Sequence, residues 1–253
     1  MTLKRQDFKT ELWQRLLGRP ASEYGRLCRG GGGPRTGRAS PEGASVAYAP
    51  LRPLSVDVMR TNEEVMAMFD LDRFKADCSA AVADRAAIQA IREVVARAVE
   101  DPGGVQKAVG EPRRAEVQIL HRSADLTILN VIWGPRMTVM PHNHEMWAVI
   151  GIYSGREDNI LWRRLPGEAS SRIEAAGAKA LSERDAFPLG RDIIHSVTNP
   201  IARLTGALHV YGGDFFGVPR SEWDPERLTE QPYDVQRALQ LFEDSNRFYS
   251  AHS

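Results

Sequence analysis

Three histidines are the residues of this sequence whose type and spacing could do chemistry together. His142 and His144 are two residues apart in the segment Pro-His-Asn-His-Glu. On a β-strand, side chains two apart point to the same face, so both imidazoles can bind one metal ion while Glu145 points the other way. A third ligand has to come from a distant strand, and His195 is the best candidate. The pattern therefore predicts a metal site formed by His142, His144 and His195.

These histidines lie in a part of the chain that has the pattern of an antiparallel barrel. Short segments rich in Val, Ile, Leu, Trp and Tyr alternate with turn signals such as Gly134-Pro135 and Asn199-Pro200. The predicted strands are residues 116–122, 126–133, 146–153, 157–164, 193–198 and 203–211. Several short strands at close spacing predict a barrel or jelly roll over residues 115–215.

Helices are predicted on both sides of the barrel. Residues 61–109 have apolar residues at helical spacing, and the segment Thr61–Glu64 has the pattern of a capping box. The turn signal Asp101–Gly104 is expected to stop the helix. A last helix is expected over residues 232–248.

Residues 1–58 differ from the rest of the chain, residues 59–253, which we expect to form one domain. This first segment is rich in Gly, Pro and Arg and has ten basic and five acidic residues. Because it has few large apolar residues to bury, we expect a disordered, solvated tail. Two alternatives remain: translation could start at Met59, or the tail could be a basic arm for RNA or anionic lipid.

The bulk composition gives no indication of a nucleic-acid or membrane partner. The chain has 253 residues, of which 42% are hydrophobic and 26% charged, and its formal net charge is +0. No apolar run reaches the roughly 18 residues of a membrane span. The two cysteines, Cys28 and Cys78, cannot form a disulfide framework, so a reducing, cytoplasmic setting is expected.

Two motifs of the sequence resemble the paired motifs of the cupin superfamily. The first is His142-Asn143-His144 with the downstream Gly155, and the second is the segment 188–199, which has Pro, Gly, His and Asn at the spacing of the second cupin motif. The resemblance covers about residues 60–220. It implies a mainly β fold, the double-stranded β-helix or jelly-roll barrel, with N-terminal helices and a C-terminal helix.

One subfamily of cupins matches further positions. The carboxylate of the first cupin motif is absent, since Ala148 and Val149 stand at the matching positions, and a three-histidine site results. This resembles the cysteine dioxygenase-type thiol dioxygenases, whose Trp-Gly pair is matched by Trp133-Gly134, nine residues before His142. The resemblance implies Fe(2+) as cofactor and O2-dependent oxidation of a small thiol, such as cysteine or 3-mercaptopropionate, to its sulfinate. Three imidazoles would leave iron with open positions for the thiolate and O2.

The same resemblance implies roles for three more residues. The segment 207–211 is similar to the Ser-x-His-x-Tyr pattern of that family, with Ala207 in place of the serine. In this comparison His209 orients Tyr211, whose hydroxyl would contact substrate or oxygen, and Arg122 would bind the substrate carboxylate. The other arginines that could take this role are Arg136, Arg163 and Arg164.

Other functions are compatible with the same residues. One is a different three-histidine cupin reaction, such as C–C cleavage of a diketone, and another is a metal-binding cupin without turnover. A carboxylate-binding arginine in the pocket favours the thiol acid, whereas an apolar pocket favours the diketone. The ligand imidazoles also need hydrogen-bond partners, for which Asn143 and Asp192 are candidates.

Overall fold

The computed structural model describes residues 68–166 and 171–252. The predicted tail, residues 1–58, and the proposed capping box, Thr61–Glu64, lie outside these ranges.

Among the described residues, three helices precede the sheets: α1 (Leu71–Ala81), α2 (Ala87–Val99) and α3 (Pro102–Val109). The side chain of Asp70 caps α1, and its Oδ1 accepts a hydrogen bond of 2.7 Å from the Arg73 amide. The turn signal at Asp101 does end α2, but it does not end the helical region. Asp101 caps α3, since its Oδ1 accepts a hydrogen bond from the Gly104 amide, and Pro102 can begin this helix because proline is well tolerated at the first helical position.

Eleven strands and one helix follow within the described residues. In chain order they are β1 (Glu116–Arg122), β2 (Thr127–Trp133), β3 (Thr138–Asn143), β4 (Ala148–Ser154), β5 (Arg156–Arg164), β6 (Ile173–Ser182), β7 (Ala186–Leu189), β8 (Ile194–Thr198), β9 (Thr205–Tyr211), β10 (Ser221–Trp223), β11 (Glu230–Pro232) and α4 (Val235–His252). One sheet has the order β1-β2-β9-β4-β7 and the other β11-β10-β3-β8-β5-β6. All of the strand pairs are antiparallel.

The six predicted strands overlap with β1, β2, β4, β5, β8 and β9, and the helix predicted over residues 232–248 overlaps with α4. The strand on which the first histidine pair was expected is β3. Four strands, β6, β7, β10 and β11, are not among the predicted segments, and the second sheet continues past residue 215. The prediction of a mainly β jelly roll with helices at both ends is confirmed.

The main core lies between the two sheets. Alternate side chains of both sheets point inward and are buried together, as is usual when two antiparallel sheets pack face to face. This cluster includes Leu129, Val131, Ile150, Val139 and Val197. The outer face of the five-stranded sheet packs on α2 through a second cluster that includes Cys78, whose thiol pKa burial raises to about 12. No helix in the described ranges has the length and apolar character needed to cross a membrane.

Candidate metal centre

The pairing of β3 with β8 brings the three histidines together. His142 lies directly opposite His195 in the register of these strands. β3 ends at Asn143, so His144 is one residue past the strand, and the following Glu145 has the left-handed φ of 57°. This bend keeps the His144 ring beside the other two, and one nitrogen from each ring lies within 4.8 Å of the others. All three side chains are buried.

The spacing of the three imidazoles fits one metal ion. His144 Nε2 is 3.3 Å from His142 Nε2 and 3.1 Å from His195 Nε2. Metal–nitrogen bonds of about 2.0–2.1 Å, at angles between octahedral and tetrahedral, place two ligand nitrogens about 2.8–3.4 Å apart. Buried nitrogens at this separation therefore have the arrangement of ligands around a single cation.

The outer nitrogens of two ligands are held by oxygen atoms. His142 Nδ1 is 2.9 Å from the Met140 carbonyl, and His195 Nδ1 is 2.7 Å from Asn159 Oδ1. Because these oxygens only accept, each Nδ1 carries the proton and each Nε2 offers its lone pair to a metal.

The partners of the ligand imidazoles are therefore not the residues expected from the sequence. The expectation for Asn143 is wrong, since its amide donates to Glu145 Oε1 and its Oδ1 accepts from the Ser221 amide. The side chain of Asp192 is exposed.

Burial keeps the ligand imidazoles neutral. It lowers the pKa of His142 to about 4, although the hydrogen bond to the Met140 carbonyl acts in the opposite direction. Burial also lowers the pKa of His144 and His195 well below 6.5, and the neighbouring imidazoles add to the effect. Since a metal ligand must be unprotonated, the cluster is ready to bind a cation near neutral pH.

Tyr211 and His209 lie on one face of β9, where Tyr211 contacts the cluster and His209 contacts Tyr211. The Tyr211 hydroxyl is 3.1 Å from His209 Nδ1. The Tyr211 ring meets His144 edge-on, with ring centroids 5.1 Å apart. Burial raises the pKa of Tyr211, so its hydroxyl keeps its proton. The structure therefore brings these two predicted residues to the metal-binding cluster.

Arg122 is not brought to the histidines. Its guanidinium forms two parallel hydrogen bonds to Asp214, of 2.7 and 2.8 Å, and lies over the ring of Phe216. The alternatives are also engaged elsewhere: Arg163 pairs with Glu174, Arg164 with Glu230, and Arg136 with the Pro200 carbonyl.

Arg220 is the arginine beside the cluster, and sequence reasoning missed it. Its guanidinium carbon lies 3.8 Å from the ring centroid of Phe215 and 4.2 Å from that of Tyr233. Those two rings border His144 and His142, at centroid distances of 6.0 and 5.9 Å. The charge of Arg220 also helps to lower the pKa of His142 and His144, and it opposes the larger effect of burial, which raises the pKa of Tyr211. It lies just before β10, in a segment with no motif that would have indicated it.

A buried carboxylate completes the surroundings of the site. Glu157 of β5 has no exposed surface and accepts hydrogen bonds from Trp133 Nε1 and Asn159 Nδ2, of 2.7 and 3.0 Å. Its Oε2 is 3.4 Å from His209 Nε2. It therefore lies between the oriented ligand His195 and the pair of His209 and Tyr211. Sequence reasoning assigned it no role.

Two antiparallel sheets in this strand order form a double-stranded β-helix. The fold is that of a cupin. Solved structures with this fold are similar to the chain, among them an RmlC-like cupin family protein from Methanocaldococcus jannaschii, with 10% identity and a TM-score of 0.35 over 42% of this chain and 85% of that one. A conserved protein from Klebsiella pneumoniae with a double-stranded β-helix domain matches with 10% identity and a TM-score of 0.33, over 49% of this chain and 90% of that one.

Oxalate decarboxylase from Bacillus subtilis is also similar, with 15% identity and a TM-score of 0.30 over 36% of this chain and 22% of that one. No family model matches the chain. Likeness at these identities concerns the fold. The two antiparallel sheets thus hold a buried cluster of three histidines that could bind a metal ion.

Proposed function

We propose that the chain is an iron(II)-dependent dioxygenase that oxidises a small thiol bearing a carboxylate, such as 3-mercaptopropionate or cysteine, to its sulfinate. The observation that carries the proposal is the composition of the site. Three neutral imidazoles form the cluster, and the hydroxyl-bearing Tyr211 and the cation Arg220 lie beside it.

The absence of a carboxylate from the His142, His144 and His195 cluster favours an anionic substrate. Neutral imidazoles leave the full charge of a divalent cation uncompensated, whereas a carboxylate ligand would reduce it. Thiolates are soft anionic ligands, and imidazole sites suit iron. Iron(II) bound there would supply the redox chemistry by which O2 reacts with a thiolate.

Arg220 supports a substrate that carries a second anionic group. Unlike Arg122, Arg163 and Arg164, it forms no ion pair with any other residue that the structure describes. Its stacking between Phe215 and Tyr233 holds the guanidinium plane in place, and a fixed guanidinium can bind a carboxylate through two parallel hydrogen bonds. A diketone offers no such anion, so this cation favours the thiol acid.

Tyr211 and the aromatic rings around it would determine which hydrogen bonds the reacting sulfur group receives and how much water reaches it. The Tyr211 hydroxyl keeps its proton and can donate a hydrogen bond to an oxygen atom that is added to sulfur. Phe215 packs on Tyr211 with ring centroids 4.2 Å apart and covers the site on that side. Exclusion of water strengthens both the hydrogen bond and the attraction to Arg220.

The reaction balances without any additional reductant. A thiol and one O2 give one sulfinic acid, RSH + O2 → RSO2H. Both oxygen atoms form bonds to sulfur, which is oxidised by four electrons as O2 is reduced by four. The sulfinate is the second step of the oxidation ladder of thiols.

The test is O2 consumption by iron-loaded protein with cysteine, 3-mercaptopropionate, mercaptosuccinate and cysteamine. We expect uptake with a thiol acid, a sulfinate product in a one-to-one ratio with O2, and slower uptake with cysteamine, which has no carboxylate. His195→Ala, prepared in the same way, is the control for reaction by free iron. No uptake with any thiol, while iron is verified in the site, would refute the proposal. Acetylacetone as a further substrate would then separate a diketone-cleaving enzyme from a binding protein.

A further inference from the structure

Glu157 is a buried acid that accepts two hydrogen bonds and has the ring nitrogen of a third side chain beside it. Trp133 Nε1 and His209 Nε2 are 2.7 and 3.4 Å from its Oε2, and Asn159 Nδ2 is 3.0 Å from its Oε1. The side chain has no exposed surface, and within the described part of the chain no Lys or Arg pairs with it. A buried acid without a cation is costly, so the hydrogen bonds that it accepts have to offset this cost.

The hydrogen bond from Asn159 connects Glu157 to the metal-binding cluster. Asn159 turns its amide nitrogen toward Glu157, so its Oδ1 faces His195 Nδ1 at 2.7 Å. That oxygen can only accept, so the proton of His195 is on Nδ1 and the lone pair of Nε2 points to the metal position. The orientation of Asn159 thus depends on an acceptor at Glu157.

His209, whose Nε2 lies beside Glu157, connects Glu157 to Tyr211. His209 Nε2 is buried and has no aligned hydrogen-bond partner among the described residues, and the acceptor beside it is Glu157 Oε2. A carboxylate oxygen cannot donate, so the geometry places a proton of His209 on Nε2. His209 Nδ1 then has the lone pair and accepts the hydrogen bond from the Tyr211 hydroxyl at 3.1 Å.

We propose that Glu157 is a positioning residue that sets two tautomers at once, that of the ligand His195 through Asn159 and that of His209, which orients Tyr211. Only the role of Tyr211 depends on the proposed function, because the tautomers and the metal affinity are properties of the site itself. The neighbouring position on the face of β9 is the methyl group of Ala207, so that position offers His209 no hydroxyl.

Glu157→Gln is the variant that tests this role. It preserves the size of the side chain but replaces one acceptor oxygen by a donor. A glutamine can still accept from Trp133 and His209 with its one oxygen, but its amide nitrogen then faces Asn159. Asn159 has to rotate and present its own nitrogen to His195, so the proton of His195 moves to Nε2 and blocks the metal position.

Two measurements follow the change without any enzyme assay. Long-range 1H–15N spectra of metal-free protein with 15N-labelled histidine report each tautomer, and we expect Nδ1–H for His195 and Nε2–H for His209 in the unmodified protein. In Glu157→Gln we expect the His195 tautomer to reverse. Competition between the protein and a chelator for Co2+ should show affinity reduced about 10- to 100-fold, the usual effect of removing a partner of a ligand histidine.

Glu222→Gln is the matched control. Glu222 is an equally buried glutamate on β10, opposite His142 in the register of β10 and β3, but its carboxylate accepts from Gln231 Nε2 and the Asp234 amide, lies 3.5 Å from Arg237 Nη1, and forms no hydrogen bond with a histidine in the described residues. We expect its variant to keep both tautomers and its Co2+ affinity within about twofold of the unmodified protein. Equal losses of affinity in the two variants would mean a general effect on folding and would overturn the proposal.

The remaining outcomes are also decisive. Unchanged tautomers and Co2+ affinity in Glu157→Gln would overturn the proposal. If that variant fails to fold, the spectrum of the unmodified protein still tests it, because an Nε2–H tautomer of His195 or an Nδ1–H tautomer of His209 contradicts the network. Failure of thiol oxidation with the expected tautomers would refute the proposed function and leave the role of Glu157 intact.

Discussion

At the scale of single residues, Arg122 and Arg220 differ in the groups that contact their guanidinium groups. Arg122 has Asp214 as its partner, and that ion pair holds the pKa of the Asp214 carboxyl below its usual range. Arg220 is instead held by aromatic faces and by the Phe215 carbonyl, at 2.8 Å from its Nη1. A substrate carboxylate would have to displace Asp214 from Arg122, whereas it could approach Arg220 without competing with another acid.

Removing the charge of Arg220 should therefore weaken binding of acidic thiols selectively. We expect Arg220→Gln to raise KM for 3-mercaptopropionate about 10- to 100-fold, the equivalent of losing one charge-assisted hydrogen bond. KM for cysteamine should change little. Steady-state O2 uptake with both thiols provides the comparison.

Arg122→Gln and Arg164→Gln are the matched controls, because both side chains are already paired with acids. We expect neither variant to change the ratio of the two KM values. A selective rise in Arg122→Gln but not in Arg220→Gln would return the role of carboxylate binding to Arg122.

At the scale of elements, the sequence predicts those strands whose side chains are apolar and β-branched or aromatic. β2, β4 and β9 are fully buried and were found from composition alone. β6 was missed because most of its residues are exposed and it is rich in Ala and Gly, which have low β propensity. It is a strand only because β5 pairs along its whole length, which is a tertiary contact.

The packing of α2 on β4 depends on a glycine. A Cβ at Gly151 would lie 2.4 Å from Val95 Cγ1 and 2.9 Å from Val99 Cγ1. We therefore expect Gly151→Ala to lower the free energy of unfolding by about 1–3 kcal/mol, the usual cost of overpacking. Gly177→Ala on β6 is the matched control, since nothing lies within 4 Å of the added atom. Urea denaturation of both variants measures the difference, and equal stabilities would contradict this account of the interface.

At the scale of the whole molecule, sequence spacing was enough to indicate the metal-binding cluster but not its surroundings. His142 and His144 share one face because of strand geometry, and the second motif supplied His195. Glu157 and Asn159 reach the site from a strand of the six-stranded sheet, while His209 and Tyr211 reach it from the five-stranded sheet. Which residues meet across the barrel depends on how the two sheets pack, and no local pattern encodes that.

Gathering three imidazoles in the interior should make the metal-free protein sensitive to acid. Unfolded histidines titrate near pH 6.5, whereas burial lowers the pKa of His142 to about 4 and those of His144 and His195 well below 6.5. Below pH 6.5 the unfolded chain therefore binds protons that the folded chain does not. The contribution of the neutral imidazoles to the free energy of unfolding is fully present above pH 6.5. Acidification below this pH should lower that free energy by up to about 1.4 kcal/mol per pH unit for each imidazole.

Thermal unfolding of metal-free and Co2+-loaded protein between pH 7.5 and 5 measures this effect. We expect Tm of the metal-free protein to fall over this range, and the gain in Tm from Co2+ to shrink as protons compete for the ligand nitrogens. Other groups also face these rings, namely Glu157, His209 and Arg220. Replacing His142 and His195 by Gln should flatten the slope, because the lowered pKa values of Asp214 and Glu230 start from 3.8 and 4.5 and act only at lower pH. An equally steep slope in that double variant would mean that groups other than these histidines cause the acid sensitivity.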